Sequence, residues 1–200
     1  MEYRVDIPRV PGGWGTVYLD PPWPAARTKR YACDTGTGIR RPLRYDRMSE
    51  EALQRMPIPD ILSPDAHVYC WTPNSHLAMA IHLLEYWGLT YKTNVCWSKL
   101  RLSGKQFLGL GWFVRNAHEL CLLAVKSIKK RRNPGSTRSI MHEVFRGHSC
   151  KPEKMYEIIE KLSPGPYLEI FSRTSGRPGW VQLISDQKPK STYDDGTINL

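Results

Sequence analysis

Chemistry first shows in this 200-residue chain at Asp20-Pro21-Pro22-Trp23. Val17-Tyr18-Leu19 precedes it in the pattern of a buried strand, which puts the carboxylate where a strand ends. Two consecutive prolines stop helix and ladder and hold the backbone extended. They remove two N–H donors and leave the carbonyls, an acceptor-only ledge beside a carboxylate and an indole. The exocyclic amino group of adenine is a poor nucleophile because its lone pair is delocalised into the ring. If a carboxylate and a carbonyl each accept one of its hydrogens, the nitrogen pyramidalises and aims its lone pair at a methyl donor. Holding nucleophile and donor in line is worth about 7–11 kcal/mol. In this reading Asp20 and the Pro21 carbonyl orient the amino group, and Pro22 stiffens the ledge. Trp23 stacks on an extruded base, a contact worth about 1–3 kcal/mol. The duller alternative is a turn leaving a strand, with Trp23 packed on the core.

Other residues bear on the same chemistry. Glu169, in Tyr167-Leu-Glu-Ile-Phe171, is a second acid near a strand end. Lys151 stands just before a helix start and opposes its dipole, so it needs an anionic partner: Glu169, Asp20 or a cofactor carboxylate. Trp97 and Lys99 end a strand, which suits either a site or, for Trp97, the core. Glu119 opens a buried strand and reads as half of a structural ion pair, and Tyr156 reads as packing. His142 and His148, placed in the loop before the last helix, have no carboxylate or cysteine spacing that suggests a metal. The five cysteines include no C-x-x-C pair, and their odd number argues against a disulfide framework. No apolar run approaches the length of a membrane span, which together with the cysteines suggests a cytosolic setting.

Formal net charge is +10, and its clustering suggests a polyanionic partner. Arg27, Lys29, Arg30, Arg40, Arg41, Arg44 and Arg47 form one cluster; Lys126, Lys129, Lys130, Arg131, Arg132 and Arg138 form another. Both are interspersed with Gly, Pro, Ser and Thr, as in loops, and are expected to flank the site and grip phosphates.

The elements that must position these groups alternate in type, which predicts an α/β sheet covered on both faces. Strands are expected at 16–19, 67–71, 91–97, 119–125, 167–171 and 180–184. A short helix at 49–56 takes Ser49 as N-cap, with Glu50 and Glu51 at its positive end. A helix at 75–87 ends at Gly88, with Leu77, Ala80, Ile81 and Leu84 at core spacing. A helix at 152–162 carries Pro152 at its first position and a stripe of Met155, Ile158, Ile159 and Leu162. One domain is expected over 1–186, followed by a polar tail at 187–200.

Taken in order, the motifs resemble those of the MT-A70-like family of adenine amino-methyltransferases. They are Asp20-Pro-Pro-Trp23, Tyr45-Asp-Arg-Met48, Tyr69-Cys-Trp-Thr-Pro-Asn74, Trp97-Ser-Lys99, Arg115-Asn-Ala-His-Glu119, Lys151-Pro-Glu-Lys-Met-Tyr156, Leu168-Glu-Ile-Phe-Ser-Arg173 and Gly179-Trp180. The resemblance spans residues 5–182. It implies a Rossmann-like methyltransferase fold, a mostly parallel twisted sheet with circularly permuted motif order, and S-adenosylmethionine as cofactor. By the match, 168–173 border the cofactor, with Glu169 and Phe171 beside it and Arg173 on its ribose. Lys151 matches a lysine near the methionine carboxylate, and Asp6-Ile7 the segment that reads the cofactor adenine.

Substrate contacts are expected from Tyr45, Trp97 and Lys99, and from Arg40, Arg41, Arg44, Lys130 and Arg131. Tyr45 has the alternative of capping the next helix. The family's Gly-Asn pair after the closing tryptophan is missing, and Gln182 or Ser185 stands in for it. The resemblance implies adenine-N6 methylation of nucleic acid, DNA favoured and RNA the other polymer, by a homodimer or with a related methyltransferase subunit. The alternatives are a non-catalytic nucleic-acid-binding subunit and a cytosine-N4 methyltransferase.

Overall fold

The computed structural model describes residues 6–24, 47–111, 113–127, 137–146 and 150–184. Seven strands form one sheet in the order β5-β3-β4-β2-β1-β6-β7. They are β1 (Trp14–Leu19), β2 (Leu62–Thr72), β3 (Thr90–Leu100), β4 (His118–Val125), β5 (Ile140–Val144), β6 (Tyr167–Ser172) and β7 (Trp180–Ile184). Every pairing is parallel except those of β4, which runs antiparallel to β2 and β3. One edge therefore collects the carboxyl ends of six strands and the amino end of β4, where ligands of open α/β sheets gather.

Strand alternation sorts the side chains into two cores. One face carries Val17, Leu19, Val68, Cys70, Leu122, Ala124, Leu168 and Ile170. It is covered by α1 (Glu50–Gln54), α2 (Ile58–Ile61) and α3 (Leu77–Tyr86), through Leu53, Ile58, Ala80, Leu83 and Leu84. The other face carries Tyr18, Tyr69, Trp71, Cys121, Val95 and Trp97 under α4 (Lys154–Leu162), which contributes Met155, Tyr156, Ile158 and Ile159. Burying each of these large side chains is worth about 1.5–3 kcal/mol.

Local signals act where expected. The Ser49 hydroxyl accepts from the Ala52 N–H at 3.2 Å. The same hydroxyl helps hold the Glu51 carboxyl below its ordinary value, after a backbone hydrogen bond of Glu51 itself. Gly88 follows α3 at φ 72°, open to a residue without Cβ.

Three expectations need correction. His142 lies inside β5, not in a loop. The strand was missed because only five residues, alternately exposed, pair at the sheet margin with β3. Helix α4 begins two residues after Pro152, because its first turn closes tightly, Met155 N–H onto Pro152 O at 3.1 Å. The described ends of the second basic cluster do not lie at the site edge. Lys126 after β4 and Arg138 before β5 lie at the opposite edge, because β4 runs against its neighbours. There Lys126 Nζ donates to the carbonyls of Pro59 and Leu62, each at 3.2 Å.

Candidate active site

On the α4 face, residues two apart climb toward the ligand edge: Tyr18 to Asp20 past β1, Cys121 back to Glu119 on β4, Trp97 to Lys99 on β3. Register places Leu19 beside Cys70, Trp71 beside Cys121 and Trp97 beside Glu119. The chain reaches Lys151 at the same edge, just before α4. These four charges join in a row. Lys99 Nζ meets Glu119 Oε1 at 2.5 Å, and Lys151 Nζ meets Glu119 Oε2 at 2.7 Å and Asp20 Oδ1 at 3.2 Å. Side-chain exposure runs from 12% at Lys99 to 26% at Asp20, so solvent screens the row only in part. Lys151 also lies 5.0 Å over the Trp71 ring, and Lys99 4.8 Å over Trp97.

The shared ammonium shifts the two acids oppositely. Burial raises the proton affinity of Asp20; Lys151 opposes this, Glu119 adds to it, and Arg173 opposes it from farther off. Burial would raise Glu119 too, but Lys151 and Lys99 together outweigh it and hold its carboxyl at about 2. Lys151 is held above the ordinary lysine value: burial pulls it down, and Asp20 with Glu119 more than reverses this. Glu119 is thus held in its anionic form, while the proton affinity of Asp20 is raised.

The ledge beside Asp20 is fastened at each proline. The Trp23 N–H donates to Pro21 O at 2.8 Å, and the Met48 N–H to Pro22 O at 2.9 Å. Each carbonyl oxygen has a second lone pair, so the Pro21 oxygen can still accept. Trp23 is buried in the core, its indole N–H donating to Trp71 O at 3.0 Å and its ring stacked on His76 at 5.8 Å. In this conformation the indole supports the ledge from below and offers no open face to a base.

The remaining expected residues fall in several places. Trp97 is buried with its N–H on Glu143 O at 2.9 Å, so it shapes the layer beneath the charge row. Glu169 lies level with Tyr18, one alternation deeper than Asp20. Its carboxylate accepts from Tyr156 OH at 2.9 Å and Gln182 Nε2 at 2.7 Å. Lys151 therefore finds Asp20 and Glu119 as its partners, not Glu169. Gln182, the stand-in for the missing Gly-Asn pair, spends its amide on Glu169 and on the Arg177 N–H at 2.9 Å. Asp6 is exposed and Ile7 packs into the core. Tyr45, Arg40, Arg41, Arg44, Lys130, Arg131 and Ser185 lie outside the described residues.

Phe171 has φ 66°, unusual for a residue with a Cβ, at an irregularity between Ile170 and Ser172. The kink ends regular pairing at the site edge and delivers exposed Arg173 within electrostatic reach of Asp20. Glu119 is the residue that sequence reasoning underrated. Its signal was its place in Arg115-Asn-Ala-His-Glu119, whose Asn116 also meets Asn74 at 3.2 Å across the same edge.

The MT-A70 family model matches residues 14–184. The chain belongs to the MT-A70 family. Human N(6)-adenosine-methyltransferase catalytic subunit METTL3 is 26% identical over 176 residues, 86% of this chain and 28% of that protein. A probable N(6)-adenosine-methyltransferase MT-A70-like protein of Oryza sativa subsp. japonica is 25% identical over 202 residues, covering 97% and 25%. Type II methyltransferase M.MunI of Mycoplasma sp is 28% identical over 189 residues, covering 86% of this chain and 78% of that one. The chain spans about a quarter of the length of the first two, 28% and 25%. MT-A70 methyltransferases use S-adenosylmethionine as methyl donor. The residues at this edge are of a kind that fits that molecule: Lys151 and Arg173 would offer cations to its carboxylate and hydroxyls, and Asp20 an anion to its positive centre. Lys151 has three N–H donors and gives two to carboxylates, which leaves one for a further acceptor. No helix of the described residues is long and apolar enough to cross a membrane.

Proposed function

We propose that this chain methylates the N6 amino group of adenine in a nucleic acid. The observation that carries this reading is Asp20 at the ligand edge, its proton affinity raised, next to a ledge whose Pro21 oxygen retains a free lone pair. S-adenosylmethionine, when bound, would supply an electrophilic methyl group on a sulfonium whose thioether is the leaving group. Asp20 and the Pro21 carbonyl accept the two amino hydrogens and direct the nitrogen lone pair. Asp20 is placed to take the proton that the amino nitrogen would lose on being methylated. A carboxylate of raised proton affinity is the better acceptor for it. Lys151 steadies the Asp20 carboxylate, and Glu119 fixes Lys151.

DNA is the polymer favoured by the sequence reading. RNA is the second reading, supported by relatives named for adenosine. Arg40, Arg41 and Arg44 belong to a segment that leaves the ledge after Pro24 and returns at Arg47, beside the site, and we assign them to phosphate contacts. Replacing all three by alanine should weaken nucleic-acid binding and flatten its salt dependence; unchanged affinity would remove them from the contact surface. A pairing subunit, a second copy or a related methyltransferase, is part of the same proposal.

The test is transfer of labelled methyl from S-adenosylmethionine to unmethylated DNA and to RNA, with Asp20→Ala alongside and nucleoside analysis of the product. N6-methyladenine from wild type alone supports the reading and names the polymer. N4-methylcytosine would replace the base, and cofactor binding without transfer would favour a non-catalytic subunit.

A further inference from the structure

The row of proline carbonyls has a third fastening that no motif announced. Pro24 O, the last acceptor of the described ledge, lies 2.9 Å from His76 Nε2. A carbonyl oxygen can only accept, so Nε2 carries the proton. His76 Nδ1 lies 2.9 Å from Ser75 Oγ, and in the neutral ring it accepts from that hydroxyl. The ring is stacked on Trp23 at 5.8 Å with 29° between planes. His76 is 9% exposed and closes the 3-10 turn Asn74–His76, which follows β2 and precedes α3. The turn is pinned by the His76 N–H on Pro73 O at 2.9 Å, so the imidazole projects from a rigid strand-to-helix junction.

We infer that His76 is a positioning residue for the catalytic ledge: it clamps the Pro24 carbonyl and backs the Trp23 indole, fixing the Pro21–Pro24 backbone relative to Asp20. The inference rests on the methyl-transfer reading and goes beyond it, because His76 touches neither the base nor the cofactor in that mechanism. The reason for a clamp is mechanical. The Pro21 and Pro22 carbonyls are bonded on one side by Trp23 and Met48 main-chain groups, both next to the ledge in space and one of them part of it. Bonds to the sheet and its junctions further restrain the ledge as a unit. Among the described residues, Trp23 Nε1 on Trp71 O supplies one such bond and His76 on Pro24 O another. Burial also holds the His76 ring below its ordinary proton affinity; the bond to Pro24 opposes this and the Arg47 charge adds to it. The neutral ring is thereby favoured, and its bond to Pro24 O selects the Nε2-protonated tautomer.

The experiment compares His76→Ala, His76→Gln and His76→Asn in methyl transfer, with thermal melting of each. The glutamine amide nitrogen reaches about as far as Nε2 and can still donate to Pro24; asparagine reproduces only the Nδ1 end. Alanine and asparagine should lower kcat by about tenfold to a hundredfold, the range a misplacement near 1 Å can cost. KM for S-adenosylmethionine should stay within about twofold, and glutamine should recover most of kcat. Equal losses for glutamine and asparagine, or full kcat in alanine, overturn the inference. If alanine fails to fold, the amide pair decides alone. Nitrogen-15 NMR of the free wild-type protein supplies a readout that needs no turnover. A His76 ring protonated at Nε2 supports the clamp, and the opposite tautomer overturns it. Absence of methyl transfer by wild type would sink the adenine reading only.

Discussion

Two carboxylate clusters, one half-buried and one buried, occupy the same face of the sheet, and the protein treats them differently. At the ligand edge, Asp20 and Glu119 share the Lys151 ammonium, and Glu119 takes Lys99 besides. One alternation deeper, Glu169 receives a phenol and an amide, Tyr156 from α4 above the sheet and Gln182 from the neighbouring strand β7. The first cluster is built of charges at the open edge, where an incoming carboxylate or amine would compete for them. The second is built of neutral donors on packed elements, with Tyr156 edge-on to Tyr18 at 5.3 Å and to Trp180 at 5.1 Å. A step of two residues, about 6.6 Å along a strand, separates a carboxylate that faces the edge from one sealed in the core. Burial alone does not mark a working acid here; what marks it is a charged partner at the open end of the strands.

The largest expected effect breaks the first cluster at Asp20, its reacting member in the proposed function. Asp20→Asn should lower kcat by about a thousandfold, within the range general for a proton-accepting group. Its melting temperature should stay level or rise, because the site disfavours the ionised form that asparagine removes. A loss of stability comparable to the loss of rate would make Asp20 structural. Next comes Lys151→Met, which leaves two carboxylates facing each other. Losing one partner of a buried pair costs about 3–5 kcal/mol, read by urea unfolding, and activity should fall with it. An unaltered unfolding midpoint would show that the row is not an energetic unit.

How much of this was legible beforehand depends on how local each signal was. The strand before Asp20, the Ser49 cap, Gly88 after α3 and the α4 stripe are short-range patterns, and the structure has them within a residue or two. Lys151 was read as needing an anion, which the opposed helix dipole required. Which anion it meets depends on strand order and direction. Glu119 reaches Lys151 because β4 runs backwards between β2 and β3, putting the first residues of β4 level with the last of its neighbours. No pattern within residues 118–125 encodes that reversal. The same reversal moves the ends of the second basic cluster to the far edge. Trp23 was misjudged for another reason: its acceptor, Trp71 O, and its stacking partner, His76, come from 48 and 53 residues away.

Glu119→Gln sharpens the comparison more finely. It should cost about 2–3 kcal/mol, at or below the lower end for a buried pair because the carboxylate is 23% exposed. Its pH behaviour follows from the sign of each shift. Glu119 is depressed, so its contribution to stability is present above the ordinary value of 4.5 and lost as pH falls toward about 2. The variant should flatten the melting curve over that interval. Asp20 is raised partly by Glu119, and removing that charge lowers it, while Lys151 is freed to lean on Asp20 in the same direction. The acid limb of kcat should therefore move to lower pH, and a move upward would contradict the assignment of that limb to Asp20.

The smallest effect is expected at Glu169, and it is the one that tests the contrast itself. In Glu169→Gln the amide oxygen can still accept from both Tyr156 and Gln182, so these two bonds survive with their assistance by charge lost. That difference is about 1 kcal/mol, a shift of a few degrees in the melting temperature. Rate should change by less than about threefold, KM for S-adenosylmethionine should hold, and the acid limb should stay where Asp20 sets it. If instead KM for the cofactor rose sharply while stability held, the deeper carboxylate would be reaching the ligand through Phe171 and Arg173, two and four residues along the same chain. The boundary between sealed and working acids would then lie one alternation deeper in the sheet.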